Sequence, residues 1–84
     1  MSELRRYDYS KLRGRIKEKL GTEGEFAKRI GRTQNYVSKV FRNATYLGQE
    51  DIASGAEALD IPVGEIGTYF FTPEVHKIET TSIK

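Results

Sequence analysis

The sequence predicts an all-α domain of five short helices, and three observations carry that expectation. Apolar residues recur at intervals of three and four along most of the chain, the spacing of amphipathic helices. Glycine, asparagine and proline punctuate that pattern between one apolar stripe and the next. The chain has 84 residues and no cysteine, so it is one domain with a single small core held by packing alone.

The first helix follows from Tyr9, Leu12, Ile16 and Leu20, which form one stripe, while Lys11, Arg13, Arg15, Lys17 and Lys19 lie mainly off it. Asp8 or Ser10 can cap its start, and Gly21 can end it in a left-handed conformation. Thr22 and Glu25 have capping-box spacing for a second helix, with Phe26, Ala27 and Ile30 inward and Gly31 as its stop. Thr33 is the N-cap candidate of a third helix over 34–42, which turns Val37, Val40 and Phe41 inward. Asn43 is its C-cap candidate, and 43–48 reads as a loop. A fourth helix runs from about Gln49 to Leu59, with Glu50 and Asp51 at the positive end of its dipole and Ile52, Ala56 and Leu59 inside. Pro62 disfavours helical geometry at Ile61. A short fifth helix over 63–69 then carries Ile66, Phe70 and Phe71 over the core. From Thr72 onward Val75, Ile78, Thr80, Thr81 and Ile83 lack helical spacing. That segment is either a frayed tail or a single strand, and a single strand needs a partner such as its counterpart in another copy. The domain expectation is therefore 1–72 for the helical unit and 73–84 for the tail.

Composition excludes several functions. The chain is 37% hydrophobic and 31% charged, with a mean hydropathy of −0.60, a soluble globular balance. No apolar run approaches about 18 residues and no signal-peptide stretch opens the chain, so a cytoplasmic protein with no membrane partner is expected. His76 alone builds no zinc site. There is no cysteine nucleophile, phosphate loop or metal constellation, and Ser38 has no histidine in its segment. No enzymatic activity, cofactor, metal or small-molecule ligand is expected.

Charge is distributed unevenly. Residues 1–46 hold twelve Lys/Arg against five Asp/Glu, a net +7, whereas residues 47–84 carry −5. One basic half fits a polyanion partner. Equally, the two halves can serve solubility or bind each other between copies.

The strongest local signal is EGEFAKRIGRTQNYVSKVFR over 23–42. Ala27 is small where two helices must cross closely, Gly31 supplies a positive φ for the turn, and Val37 and Val40 pack the third helix back on the second. This is helix-turn-helix spacing, and it leaves Thr33, Gln34, Asn35, Ser38, Lys39 and Arg42 on an outward face. Gln and Asn match the N6/N7 edge of adenine, and Lys and Arg reach guanine or phosphate. An ordinary solvated helix face is the competing reading.

Over 7–73 the chain resembles the small phage helix-turn-helix repressors of the Cro-like type, and one small phage repressor subfamily in particular. The residues carrying the likeness are YDYSKLRGRIKEKLGTEGEFAKRIG and ALDIPVGEIGTYFFTPEV. The resemblance implies a five-helix, lambda-repressor-like DNA-binding domain that occupies a palindromic operator as a homodimer in the bacterial host cell. It assigns base reading to Gln34, Asn35, Ser38 and Lys39, joined by Thr33 on the same face. Phosphate contacts fall to Thr22, Arg42, Asn43 and Tyr46, with Arg13 and Lys17 of the basic first helix assisting. Two departures stand out. Arg32 occupies a position usually apolar in this motif, so it either reaches a phosphate or alters the turn. Glu23 stands where Gln often contacts a phosphate.

Tyr7 and Tyr9 among basic residues suit base stacking or simple packing. Tyr69, Phe70 and Phe71 are either core filler or a dimer contact, the latter joined by Val75 and Ile78. Two other functions fit the same chain: an antitoxin whose tail binds a toxin, and a protein-interaction adaptor on a helix-turn-helix scaffold.

Overall fold

A computed structural model describes residues 6–74 and shows five α-helices: α1 (Ser10–Lys19), α2 (Glu23–Ile30), α3 (Gln34–Phe41), α4 (Gln49–Ala58) and α5 (Ile66–Phe70). A 3-10 turn, Val63–Glu65, leads into α5. Among the described residues there is no β-strand, only an isolated antiparallel bridge between Tyr7 and Pro73. The expected all-α, five-helix fold is the one observed. Val75 and Ile78, with most of the tail, lie outside the described residues.

Local chemistry explains the helix boundaries. The Asp8 carboxylate accepts hydrogen bonds from the Ser10 hydroxyl and N–H, and these bonds hold its pKa below the usual carboxylate value. The Thr22 hydroxyl accepts from the Glu25 N–H at 3.1 Å, and the Thr33 hydroxyl from the Tyr36 N–H at 3.1 Å. Both are side-chain N-caps that satisfy otherwise unpaired donors.

Three helices end by the same backbone device. Gly31, Asn43 and Asp60 adopt positive φ of 75°, 63° and 56°. After each, the next N–H reaches back to the helix: Arg32 to the Ala27 carbonyl, Ala44 to Lys39 and Ile61 to Ala56, each at 2.9 Å. This is the Schellman closure, which favours Gly and tolerates Asn and Asp in the left-handed region. Arg15 of α1 completes the end of α4 by donating to the carbonyls of Leu59 (2.9 Å) and Asp60 (2.8 Å).

The core sits where α1, α2, α3, α4 and α5 converge. Phe26, Leu12, Ile16, Val37, Val40, Leu59 and Phe70 are its fully enclosed side chains. Helix α2 packs against α1, α3 and α4, and α5 closes onto α1. The aromatic run divides at this layer. Phe70 is buried, Tyr69 is half-buried beneath the Arg15 guanidinium, and Phe71 is 46% exposed. Phe71 therefore lies against Tyr7, at 5.8 Å between ring centroids, rather than over the core as expected. Phe70 is the last residue of α5 and Phe71 is its C-cap, at φ −130° and ψ 29°, so the chain leaves helical geometry between them and the two rings take different directions. Phe70 is accordingly a core residue with no surface to offer a dimer.

Gly55 lets α4 approach α2. A Cβ at this position would stand 3.1 Å from two ring carbons of Phe26 and 3.5 Å from Phe70. Gly55→Val should lower the unfolding free energy by about 1–3 kcal/mol, the cost of overpacking, measured as a fall in the urea midpoint with an unchanged slope.

Candidate nucleic-acid interface

Helix α3 owes its position to burial on one side only. Val37 and Val40 are fully enclosed, Tyr36, Ser38 and Phe41 are half-buried, and Thr33, Gln34, Asn35, Lys39 and Arg42 are exposed. Four of the expected base-facing side chains thus lie in solvent, with Ser38 recessed between them.

The starts of α2 and α3 lie side by side. The Gln34 amide lies across the first turn of α2, where a Cβ on Gly24 would come within 3.3 Å of its Oε1. Arg13, Lys17, Thr22 and Glu23 line one shallow groove between α1 and α2. Within it, Arg13 pairs with Glu23 at 3.4 Å and stacks over the Phe41 ring at 5.4 Å. Glu23 thus neutralises a basic group here. Thr22 keeps an exposed position although its hydroxyl serves as a cap.

The far end of α3 is organised by Asn43. Its Oδ1 accepts from the Tyr7 N–H at 2.9 Å, and its Nδ2 donates to the Tyr7 carbonyl at 3.1 Å. The amide is engaged at both ends inside the fold, which gives this residue a structural task beside its expected phosphate contact. Tyr7 is the hub of an aromatic group, with Tyr9 and Tyr46 each 6.1 Å away and Phe71 on another side. Tyr9 is buried, and that burial raises its hydroxyl pKa. Tyr9 is therefore packing, whereas Tyr46 remains 42% exposed.

Arg32 is engaged within the fold although 46% of its side chain stays exposed. Its Nε donates to both oxygens of Asp51, at 3.1 and 3.2 Å, and its Nη2 lies 3.0 Å from Oδ2. The guanidinium also covers the Tyr36 ring at 4.7 Å. The hydrogen bond and charge of Asp51 raise the Arg32 pKa further, so it stays protonated. Two participants carried no site role in the sequence reading. Asp51, placed there only at the positive end of the fourth helix's dipole, does accept from the Gly48 N–H at 3.4 Å but is also 5% exposed and holds Arg32, and the Tyr36 hydroxyl donates to the Tyr46 carbonyl at 2.6 Å. The Arg32–Tyr36 spacing of four is a usable signal, whereas the link to Asp51 crosses nineteen positions and leaves none.

Among the described residues no cluster of three His, Cys, Asp or Glu side chains could hold a metal. No helix among them is long and apolar enough to cross a membrane.

Residues 5–73 match the family model described as "Protein of unknown function (DUF739)". The fold is also similar to the solution structure of the modulator of repression (MOR) of the temperate bacteriophage TP901-1 from Lactococcus lactis. The two chains are 34% identical and superpose with a TM-score of 0.68, over 83% of this chain and 95% of that one. No curated protein sequence matches the chain.

Asn43→Gly keeps the left-handed turn and deletes both bonds to Tyr7, which should cost about 1–2 kcal/mol and speed amide exchange at Tyr7. Asn43→Ala adds a left-handed penalty of roughly 1–2 kcal/mol and should be the less stable of the pair in urea.

Proposed function

The chain belongs to the DUF739 family, and from its similarity to a phage modulator of repression and the surface built on α3 we propose that it is a phage regulatory protein that binds duplex DNA in a sequence-specific, Cro-like manner. The observation that carries this reading is the outward face of α3, where Gln34, Asn35 and Lys39 stand exposed beside Thr33 and Arg42 on a helix capped at both ends. In that arrangement α3 enters the major groove. Gln34 and Asn35 read adenine edges, Lys39 and Ser38 contact neighbouring bases, and Lys17, Thr22, Arg42 and Tyr46 face phosphates.

The regulator acts by occupancy rather than catalysis, in the cytoplasm of the bacterial host, with no cofactor, small-molecule ligand or membrane partner. The helical unit 1–72 carries the binding. Two copies sit on a palindromic operator, and Phe71 and Tyr69 supply the apolar part of their contact. Arg13 and Arg32 contribute through the ion pairs they make, since each guanidinium is already turned toward a carboxylate.

A second reading draws on the printed name of the similar protein, a modulator of repression. A modulator can act on another regulator, so the same helix-turn-helix scaffold would serve as a protein-interaction adaptor.

Selection of sites from a random duplex pool at near-physiological salt separates the two. The DNA reading expects an enriched palindrome with half-sites about one helical turn apart. It also expects Gln34→Ala/Lys39→Ala to bind that palindrome at least about tenfold more weakly, with an unchanged urea midpoint. Binding that enriches no sequence and fades as salt rises would sink the DNA reading and favour the adaptor.

A further inference from the structure

A chain of three side chains, Asp51, Arg32 and Tyr36, runs from α4 to a backbone carbonyl in the loop after α3. Asp51, in the first turn of α4, is 5% exposed and grips Arg32, the first residue after the left-handed Gly31. Arg32 covers Tyr36 in the first turn of α3, and the Tyr36 hydroxyl holds the Tyr46 carbonyl. Asp51 Oδ2 also accepts from the Gly48 N–H at 3.4 Å, so the loop is tied at a second point.

Val37 and Val40 fix how deeply α3 sits, but apolar burial is non-directional and leaves rotation of a short helix about its axis weakly determined. A planar guanidinium set on two carboxylate oxygens is directional. We propose that Asp51 is a positioning residue: through Arg32 and Tyr36 it sets the roll of α3 and the placement of the 43–48 loop relative to it. It thereby spaces Gln34, Asn35 and Lys39 against Arg42 and Tyr46. The consequence for affinity rests on the DNA-binding reading above, whereas the roll itself does not.

Two full-length variants test this: Arg32→Lys, which keeps the charge and loses the fork, and Arg32→Met/Asp51→Leu, which replaces the pair by apolar groups. Asp51 is buried while the Arg32 side chain stays 46% exposed, and replacing both partners of such a bond by apolar groups of similar shape can be nearly neutral for stability, so the double variant separates position from stability. Urea unfolding, affinity for the selected duplex, and backbone residual dipolar couplings are measured on each. Both variants should unfold near the wild-type midpoint and bind about tenfold more weakly, with couplings changed through 33–46 and preserved in α1. A double variant with wild-type affinity and wild-type couplings overturns the proposal. Loss of folding in both assigns the pair to stability alone and also overturns it. If the wild-type protein binds no duplex, the DNA reading fails separately and the couplings decide: altered couplings in 33–46 support the positioning role, and unchanged ones reject it.

Discussion

Phe26 lies against Gly55, and the closeness of that contact sets the arrangement of the other helices. Helix α2 carries Phe26 and touches α1, α3 and α4. The ring is completely enclosed, and only a residue without a side chain at position 55 allows α4 to lie flush against it. With α2 and α4 locked at this distance, Gly31 turns the chain left-handed and delivers α3 onto the remaining side of α2. The depth of α3 then follows from Val37 and Val40, and its polar side is left outside by default. The depth of the candidate interface therefore follows from how the core closes, whereas its polar side is also held by contacts outside the core, at Arg32 and Asp51.

Local patterns in the sequence foretold much of this. Apolar spacing identified the inward residues of α1 and α2, and side-chain caps at Thr22 and Thr33 together with stops at Gly31 and Asn43 are short-range chemistry, legible from neighbouring letters. Contacts between distant segments were not legible. Gly55 reads as an ordinary helix-weakening glycine until Phe26 is seen beside it. Asp51 reads as a dipole-favouring acid because its partner lies nineteen positions away. Phe70 and Phe71 read as equivalent, and only the point at which a helix of barely more than one turn ends decides which is enclosed. At the candidate site, the exposed face of α3 was foreseen, whereas the internal duties of Arg32 and Asn43 depend on packing partners from α4 and from the N-terminal segment.

The charge asymmetry also takes a different form in three dimensions. Arg6 pairs with Glu74, Lys19 with Asp60 and Arg32 with Asp51, so the basic and acidic halves meet within one copy. Arg15 spends its guanidinium on carbonyls at the end of α4. Part of the +7 of the first half is thus consumed in holding the helices together, and several of these pairs are too exposed to add much stability. The basic character offered outward is narrower than the sequence total and is displayed by residues such as Lys39 on α3 and Arg42 at its C-cap.

The pairing of Tyr7 with Pro73, reinforced by Asp8 donating to the Thr72 carbonyl at 2.7 Å and Glu74 to the Arg6 carbonyl at 3.1 Å, makes the described chain almost a closed ring. Its clasp is fastened to Asn43 at the end of α3. The points where the chain enters and leaves the described unit, Arg6 and Glu74, therefore lie side by side near the end of α3. A short linker joining residue 74 directly to residue 6, with new termini opened in an exposed connection such as the one before α4, should preserve the topology, because the ring is already nearly shut between those residues.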